Sequence, residues 1–163
     1  MSQPPPSSSP SRMENISPNR AGMIAGAIAG AIIRFAVAVA FVVYVHTRQS
    51  EWWGGMDQAG IALVLSLLSG VIGFVIGGIA GYTSRPIVGS LVGAVLSAGS
   101  CFFLFVLPTD VMLSMSGGGG RDYTAERSAN ILGLIAMTLA GAIAGAIGGA
   151  VGSRRKNSLA AIP

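Results

Sequence analysis

The sequence has little of the chemistry on which soluble enzymes depend. Among its 163 residues are one cysteine, one histidine and six acidic residues. The single cysteine, Cys101, excludes a disulfide within the chain and a thiolate metal cluster. The zinc-protease HExxH pattern, the CxxC pair and the Gly-x-Ser-x-Gly nucleophile motif are absent as well. We therefore expect a protein that is not an enzyme and that holds no cofactor and no metal.

Charged residues make up only 10% of the chain, and they are nearly absent from four long apolar runs. A helix needs about 20 apolar residues to cross about 30 Å of hydrocarbon. Each run meets that length, and together they occupy more than half of the chain. The sequence thus predicts an all-α membrane protein whose transmembrane domain, residues 21–151, is a four-helix bundle. The helices are expected at about 21–45, 59–81, 87–107 and 131–151.

The two ends of the chain differ from this apolar domain. Residues 1–20 are rich in proline and serine and cannot bury enough apolar surface to offset the entropy of ordering, so we expect a disordered tail. Residues 152–163 form a short basic tail that begins with Arg154, Arg155 and Lys156.

The net charge of the chain is +4. The distribution of the positive charges indicates how the protein is oriented in the membrane. Basic residues are spread over several loops and do not form one footprint, which argues against a nucleic-acid partner. Six basic residues lie in the two tails and in the connection between the second and third predicted helices, taken together: Arg12, Arg20, Arg85, Arg154, Arg155 and Lys156. The other two connections contain three, Arg48, Arg121 and Arg127, with five of the six acidic residues. This bias predicts that both termini are cytoplasmic, in a bacterial-type inner membrane or a plasma membrane.

Small residues recur at every fourth position in each apolar run. The stripes are Gly22, Gly26 and Gly30; Ser69, Gly73, Gly77 and Gly81; Gly89, Gly93 and Ser97; and Gly141, Gly145 and Gly149. Because small residues let helices approach closely in lipid, we interpret the stripes as glycine-zipper packing faces. With alternating helix directions, all four lie in the cytoplasmic half. We expect a bundle that is tight there and wider in the other half.

Arg34 is the residue that packing explains least. It lies about 13 residues, or roughly 20 Å at 1.5 Å per residue, from the cytoplasmic end of its span. Ser69, Ser100 and Thr138 are expected at nearly the same depth, which predicts a polar layer at mid-membrane. No span contains a carboxylate. The counter-charge must then come from a lipid phosphate, a solute anion or an acidic residue of a partner helix.

These features predict a structural or accessory subunit of a membrane assembly, in contact with membrane lipids and with a partner protein or further copies of itself. Two alternatives stay open. One is an oligomeric channel or carrier that uses Arg34 for an anion or small anionic solute. The other is a lipid-interacting membrane protein that uses the Arg154–Lys156 cluster. Glycine stripes occur in many unrelated membrane proteins, so they indicate no family.

Overall fold

The structure, a computed structural model, describes residues 17–48, 58–103 and 124–160. These residues form four α-helices: α1 (Pro18–Arg48), α2 (Gln58–Gly81), α3 (Pro86–Cys101) and α4 (Thr124–Ala160). Helices suit such apolar sequences because they satisfy backbone N–H and C=O groups within one segment. Three helices, α1, α2 and α4, are long and apolar enough to cross a membrane. The remaining helix, α3, is apolar but has 16 residues. The predicted all-helical architecture is confirmed for this part of the chain.

The helix boundaries differ from the expected ones at several ends. The first helix already begins at Pro18, and α4 runs seven residues earlier and nine residues later than the apolar run, from Thr124 to Ala160. Residues 18–20 and 152–160, predicted as tails, are therefore helical. Arginine, lysine and alanine are strong helix formers, so a helix continues past the apolar run into polar sequence. Directly after the last residue of α3, Phe102 and Phe103 form a π-helical turn. Residues 1–16 and 104–107 lie outside the described residues.

Proline marks the start of two helices. The Ser17 hydroxyl accepts a hydrogen bond from the Arg20 amide at 3.4 Å, and Pro18 occupies the first helical position. Pro86 likewise occupies the first helical position of α3, and Arg85 before it has an extended conformation. Proline suits this position because its missing N–H would have no partner within the helix, and it keeps the preceding residue extended. The short Tyr82–Arg85 turn thus reverses the chain between α2 and α3.

The helices alternate in direction, so that α1 and α3 run one way and α2 and α4 the other. The first helix packs against α2 and α4, and α3 packs mainly against α4. Across the bundle, the backbones of α1 and α3 scarcely approach each other. The start of α1, the Tyr82–Arg85 turn and the C-terminal part of α4 lie together, and we call this the turn end of the bundle.

Large apolar side chains point outward, and small or polar side chains occupy the interior. Among the exposed ones are Ile32, Leu63, Val71, Ile87 and Leu139. Within residues 17–48, 58–103 and 124–160, five of the eight buried hydrophobic residues are alanines. In the same ranges, the four largest side chains that are almost completely buried are polar: Arg34, Ser66, Ser69 and Ser97. An apolar exterior around a polar centre is the pattern expected where lipid is the solvent.

Candidate functional site

The glycines of α1 face the glycines of α2 in antiparallel order. Gly22, Gly26 and Gly30 lie against Gly81, Gly77 and Gly73. A Cβ atom placed on any of these six would overlap the backbone of the facing glycine. Side chains therefore cannot fit between the two helices here, and the backbones themselves make the contact.

A second set of glycine contacts joins α3 to α4. Gly89 lies against Gly145, and Gly93 lies against Gly141. Gly149 lies against the backbone of Arg85 and Pro86 at the start of α3. All eleven glycines expected to pack helices are thus in contact with the backbone of another segment.

At the turn end a further glycine brings three helices together. A Cβ atom on Gly148 of α4 would lie 2.6 Å from the Gly81 Cα atom and 2.8 Å from the Gly22 carbonyl oxygen. Farther from the turn end, glycines pack against aromatic side chains and not against backbone. Phe35 packs over Gly70, and Phe41 packs over Gly133. The bundle is therefore closest at its turn end.

Arg34 follows Gly30 on the same face of α1, and its side chain enters the centre of the bundle. It is 1% exposed. Its Nη1 atom donates hydrogen bonds to the Ser97 hydroxyl at 3.2 Å and to the Ser100 hydroxyl at 3.1 Å. Both serines belong to α3, so the guanidinium links two helices whose backbones lie across the bundle from each other.

The backbone of Arg34 is also held. The Ser69 hydroxyl of α2 donates to the Arg34 carbonyl oxygen at 3.4 Å and also lies 3.8 Å from the sulfur of Met137. In turn the Ser100 hydroxyl donates to the Ser97 carbonyl at 2.9 Å, which fixes its lone pairs toward the guanidinium. These contacts bring together three of the four residues expected in the polar layer: Arg34, Ser69 and Ser100.

Thr138, the fourth expected member, is not part of this cluster. Its hydroxyl donates to the Leu134 carbonyl of its own helix at 2.7 Å, whereas the hydrogen bonds of the guanidinium go to Ser97 and Ser100. Equal depth alone does not bring two residues together, since the side chains must also face each other around the helix axis. Ser97 takes its place as a partner of the guanidinium. The signal in the sequence was the spacing of Ser97 and Ser100, which puts both hydroxyls on one helix face.

A small apolar layer covers the cluster on the side away from the turn end. It consists of Ala38, Cys101 and Met137, all buried, with Val37 and Leu134 packed against them. Ala38 and Cys101 lie one helical turn beyond Arg34 and Ser97, respectively. The guanidinium therefore lies between this layer and the glycine contacts.

The turn end carries a group of basic side chains from three segments. The Ser84 hydroxyl donates to the Asn19 side-chain oxygen at 2.6 Å, and Gly152 of α4 packs against Ser84. These contacts bring Arg20, Arg85, Arg154, Arg155 and Lys156 to one end of the molecule. No acidic residue lies at this end among the described residues, since Glu126, at the start of α4, is the only one.

An apolar groove runs along the outside of the bundle between α1 and α2. Its volume is about 530 Å³. It is lined by Met23, Ile24, Ala27, Ile28, Phe74, Val75, Gly78, Ile79 and Tyr82. Its end at Met23, Ile24 and Tyr82 lies next to the turn end, because Arg20 is one helical turn before Met23 and Ile24.

Comparisons with protein-family models, curated proteins and solved structures found no match to this chain. In the described part of the chain, no group of three or more histidine, cysteine, aspartate or glutamate side chains could hold a metal ion. The Arg34 cluster, the basic turn end and the groove are therefore interpreted from their chemistry alone.

Proposed function

We propose that this chain is a non-enzymatic integral membrane protein that serves as a structural or accessory subunit of a membrane assembly. The observation that carries the proposal is the arrangement of side chains. The interior is closed by backbone contacts such as Gly26 against Gly77, and the large apolar side chains remain on the outside. Such an outer surface is suited to lipid and to the helices of other membrane proteins.

The proposal includes a glycine-zipper bundle with four membrane crossings and both termini in the cytoplasm. Antiparallel glycine contacts along α1–α2 and α3–α4 support the zipper. The five basic residues at the turn end support the orientation, because lysine and arginine are enriched on the cytoplasmic side. In this orientation the backbone contacts lie in the cytoplasmic half of the membrane.

A second candidate function, interaction with anionic lipids, is favoured by the turn end. Clusters of four to eight basic residues beside a membrane helix are typical of anionic-lipid binding. The five cations here come from three separate segments, whereas Arg154, Arg155 and Lys156 alone would fall short of that number. The groove that ends beside Arg20 could receive an acyl chain of the same lipid.

One experiment separates these functions. The protein is extracted from native membranes with a mild detergent and examined by native mass spectrometry. A stable complex with another protein is the result expected of an accessory subunit. Retained anionic lipid without a protein partner supports the second function. A homo-oligomer free of both contradicts the accessory role and favours an oligomeric channel or carrier.

A further inference from the structure

The guanidinium of Arg34 uses only part of its hydrogen-bonding capacity. Its five N–H groups require acceptors, and the two on Nη1 are directed to Ser97 and Ser100. The Nε and Nη2 atoms, with the other three N–H groups, are buried and have no hydrogen-bond partner. A buried cation with unmet donors is costly unless something supplies the missing acceptors.

The chain offers no acidic side chain for this purpose within the described residues. Residues 17–48 and 58–103 contain none, and α4 contains only Glu126. Glu126 precedes Met137, which lies at the level of the cluster, by 11 residues. At 1.5 Å per residue this is about 16 Å along the helix, too far for an ion pair.

The two unpartnered nitrogens lie on the same edge of the guanidinium plane. The N–H of Nε and one N–H of Nη2 point in parallel, at a spacing that fits two oxygens of one carboxylate or phosphate group. The Nη1 atom lies in the same plane, away from this edge, and donates its hydrogen bonds to the two serines. The side chain is therefore oriented with its bidentate edge free.

We propose that Arg34 is a binding site for a small oxyanion, whose carboxylate or phosphate oxygens accept hydrogen bonds from Nε and Nη2. The serines hold the guanidinium in position from the opposite side. A small anion fits this site better than the side chain of another protein, because Arg34 lies inside its own bundle and is 1% exposed. The site does not depend on the accessory role proposed above.

Binding at this site requires movement of a helix. Both nitrogens are buried in this structure. Because Nη1 faces Ser97 and Ser100 of α3, the Nε–Nη2 edge points away from α3, and an anion enters when the bundle opens on that side.

The test uses the full-length protein in a maltoside detergent, which carries no phosphate group. Thermal unfolding is followed with increasing inorganic phosphate, sulfate or acetate, and with chloride at matched ionic strength as the control. For the natural sequence we expect the Tm to rise with the logarithm of oxyanion concentration, by several degrees at about 100 times the dissociation constant. Chloride should give a smaller shift because it cannot bridge both nitrogens.

Three variants decide whether Arg34 is responsible. Arg34→Met should remove the oxyanion-dependent shift, and Arg34→Lys should weaken binding at least about tenfold because it lacks the planar fork. Arg48→Met, which removes an arginine at the opposite end of α1 from the turn end, should leave the shift unchanged. If Arg34→Met does not fold, the comparison of Arg34→Lys with Arg48→Met still tests the site.

A phospholipid phosphate is the other source of the same chemistry. Native mass spectrometry of the protein purified from membranes distinguishes the sources. A phospholipid retained by the natural sequence and lost from Arg34→Met identifies the lipid. Oxyanion shifts in lipid-free protein identify a solute. Equal shifts in the natural sequence and Arg34→Met overturn the proposal, as does the lack of both a shift and an Arg34-dependent lipid. An Arg34-dependent protein partner without either anion effect also overturns it.

Discussion

The Ser69 hydroxyl donates a hydrogen bond to the backbone carbonyl of Arg34 at the position where a fourth pair of facing glycines would stand. Three glycine pairs precede it along α1 and α2, ending with Gly30 against Gly73. The same helix register thus continues from backbone contacts into a polar contact. A side chain as large as that of Arg34 can enter the bundle only where this close approach ends.

The first prediction concerns the glycine contacts. Gly77→Ala and Gly145→Ala should each lower the free energy of unfolding by about 1–3 kcal/mol, because the added Cβ atoms would overlap the carbonyl oxygens of Gly26 and Gly89. Gly99→Ala is the matched control, since a Cβ atom at Gly99 meets nothing within 4 Å. Unfolding in mixed micelles of increasing denaturing detergent measures the difference. Similar stability in all three variants would contradict the packing described above.

The second prediction concerns the serines that hold the guanidinium. Ser97→Ala should destabilise the protein by about 1–3 kcal/mol, because it leaves a further buried donor of Arg34 without an acceptor. Thr138→Ala is the control at similar depth, because the Thr138 hydroxyl bonds only to its own helix. Its effect should be near zero. A larger loss from Thr138→Ala than from Ser97→Ala would show that the polar cluster is wrongly assigned.

Ser69 should contribute less than Ser97. Ser69→Ala removes a long hydrogen bond of 3.4 Å to a carbonyl oxygen. Hydrogen bonds between helices in membranes average about 0.6 kcal/mol, so we expect a loss of about that size. A double-mutant cycle with Arg34→Met and unfolding as the readout should give almost no coupling, because Ser69 bonds to the backbone and not to the guanidinium. Strong coupling would mean that Ser69 contacts the Arg34 side chain.

The only cysteine provides a direct test of the folded bundle. Cys101 is free and 4% exposed, in contact with Ala38 and Met137. A maleimide should therefore react slowly with the folded protein in detergent and completely after denaturation. In Gly77→Ala the reaction should become faster as the bundle loosens. Fast labelling of the folded natural sequence would show that α3 does not pack as described.

Orientation is tested with introduced cysteines in intact cells. A membrane-impermeant thiol reagent should label Ser116→Cys, in the long connection between α3 and α4, and should not label Ser158→Cys, near the C terminus. Buried Cys101 keeps the background low. Labelling of Ser158→Cys alone would reverse the proposed orientation.

The helical architecture could be read from the sequence because its apolar runs contain almost no charge and lipid permits few alternatives to a helix. The ends of the helices could not. Hydropathy locates the part of a helix that lies in hydrocarbon, whereas Arg154–Lys156 continue α4 in polar surroundings through helix propensity. The glycine stripes indicated which helix faces are small, but not which stripes face each other.

For the candidate site, the sequence identified Arg34 as the central residue and Ser69 and Ser100 as neighbours from their depth. It placed Thr138 there and left Ser97 among the packing residues. The difference lies in rotation about the helix axis, which depth does not define. Thr138 can also satisfy its hydroxyl within its own helix, and that removes any need for a partner across the bundle.

The link between Arg34 and α3 has a consequence for biosynthesis. Ser97 and Ser100 follow Arg34 by 63 and 66 residues. At about 5–20 residues per second, the ribosome produces them roughly 3–13 s after the arginine. During that interval the first helix carries a charge that is unfavourable in hydrocarbon by about 3 kcal/mol, with neither serine yet present. We therefore expect α1 to remain beside the translocon, and to enter the lipid only after the third helix has emerged.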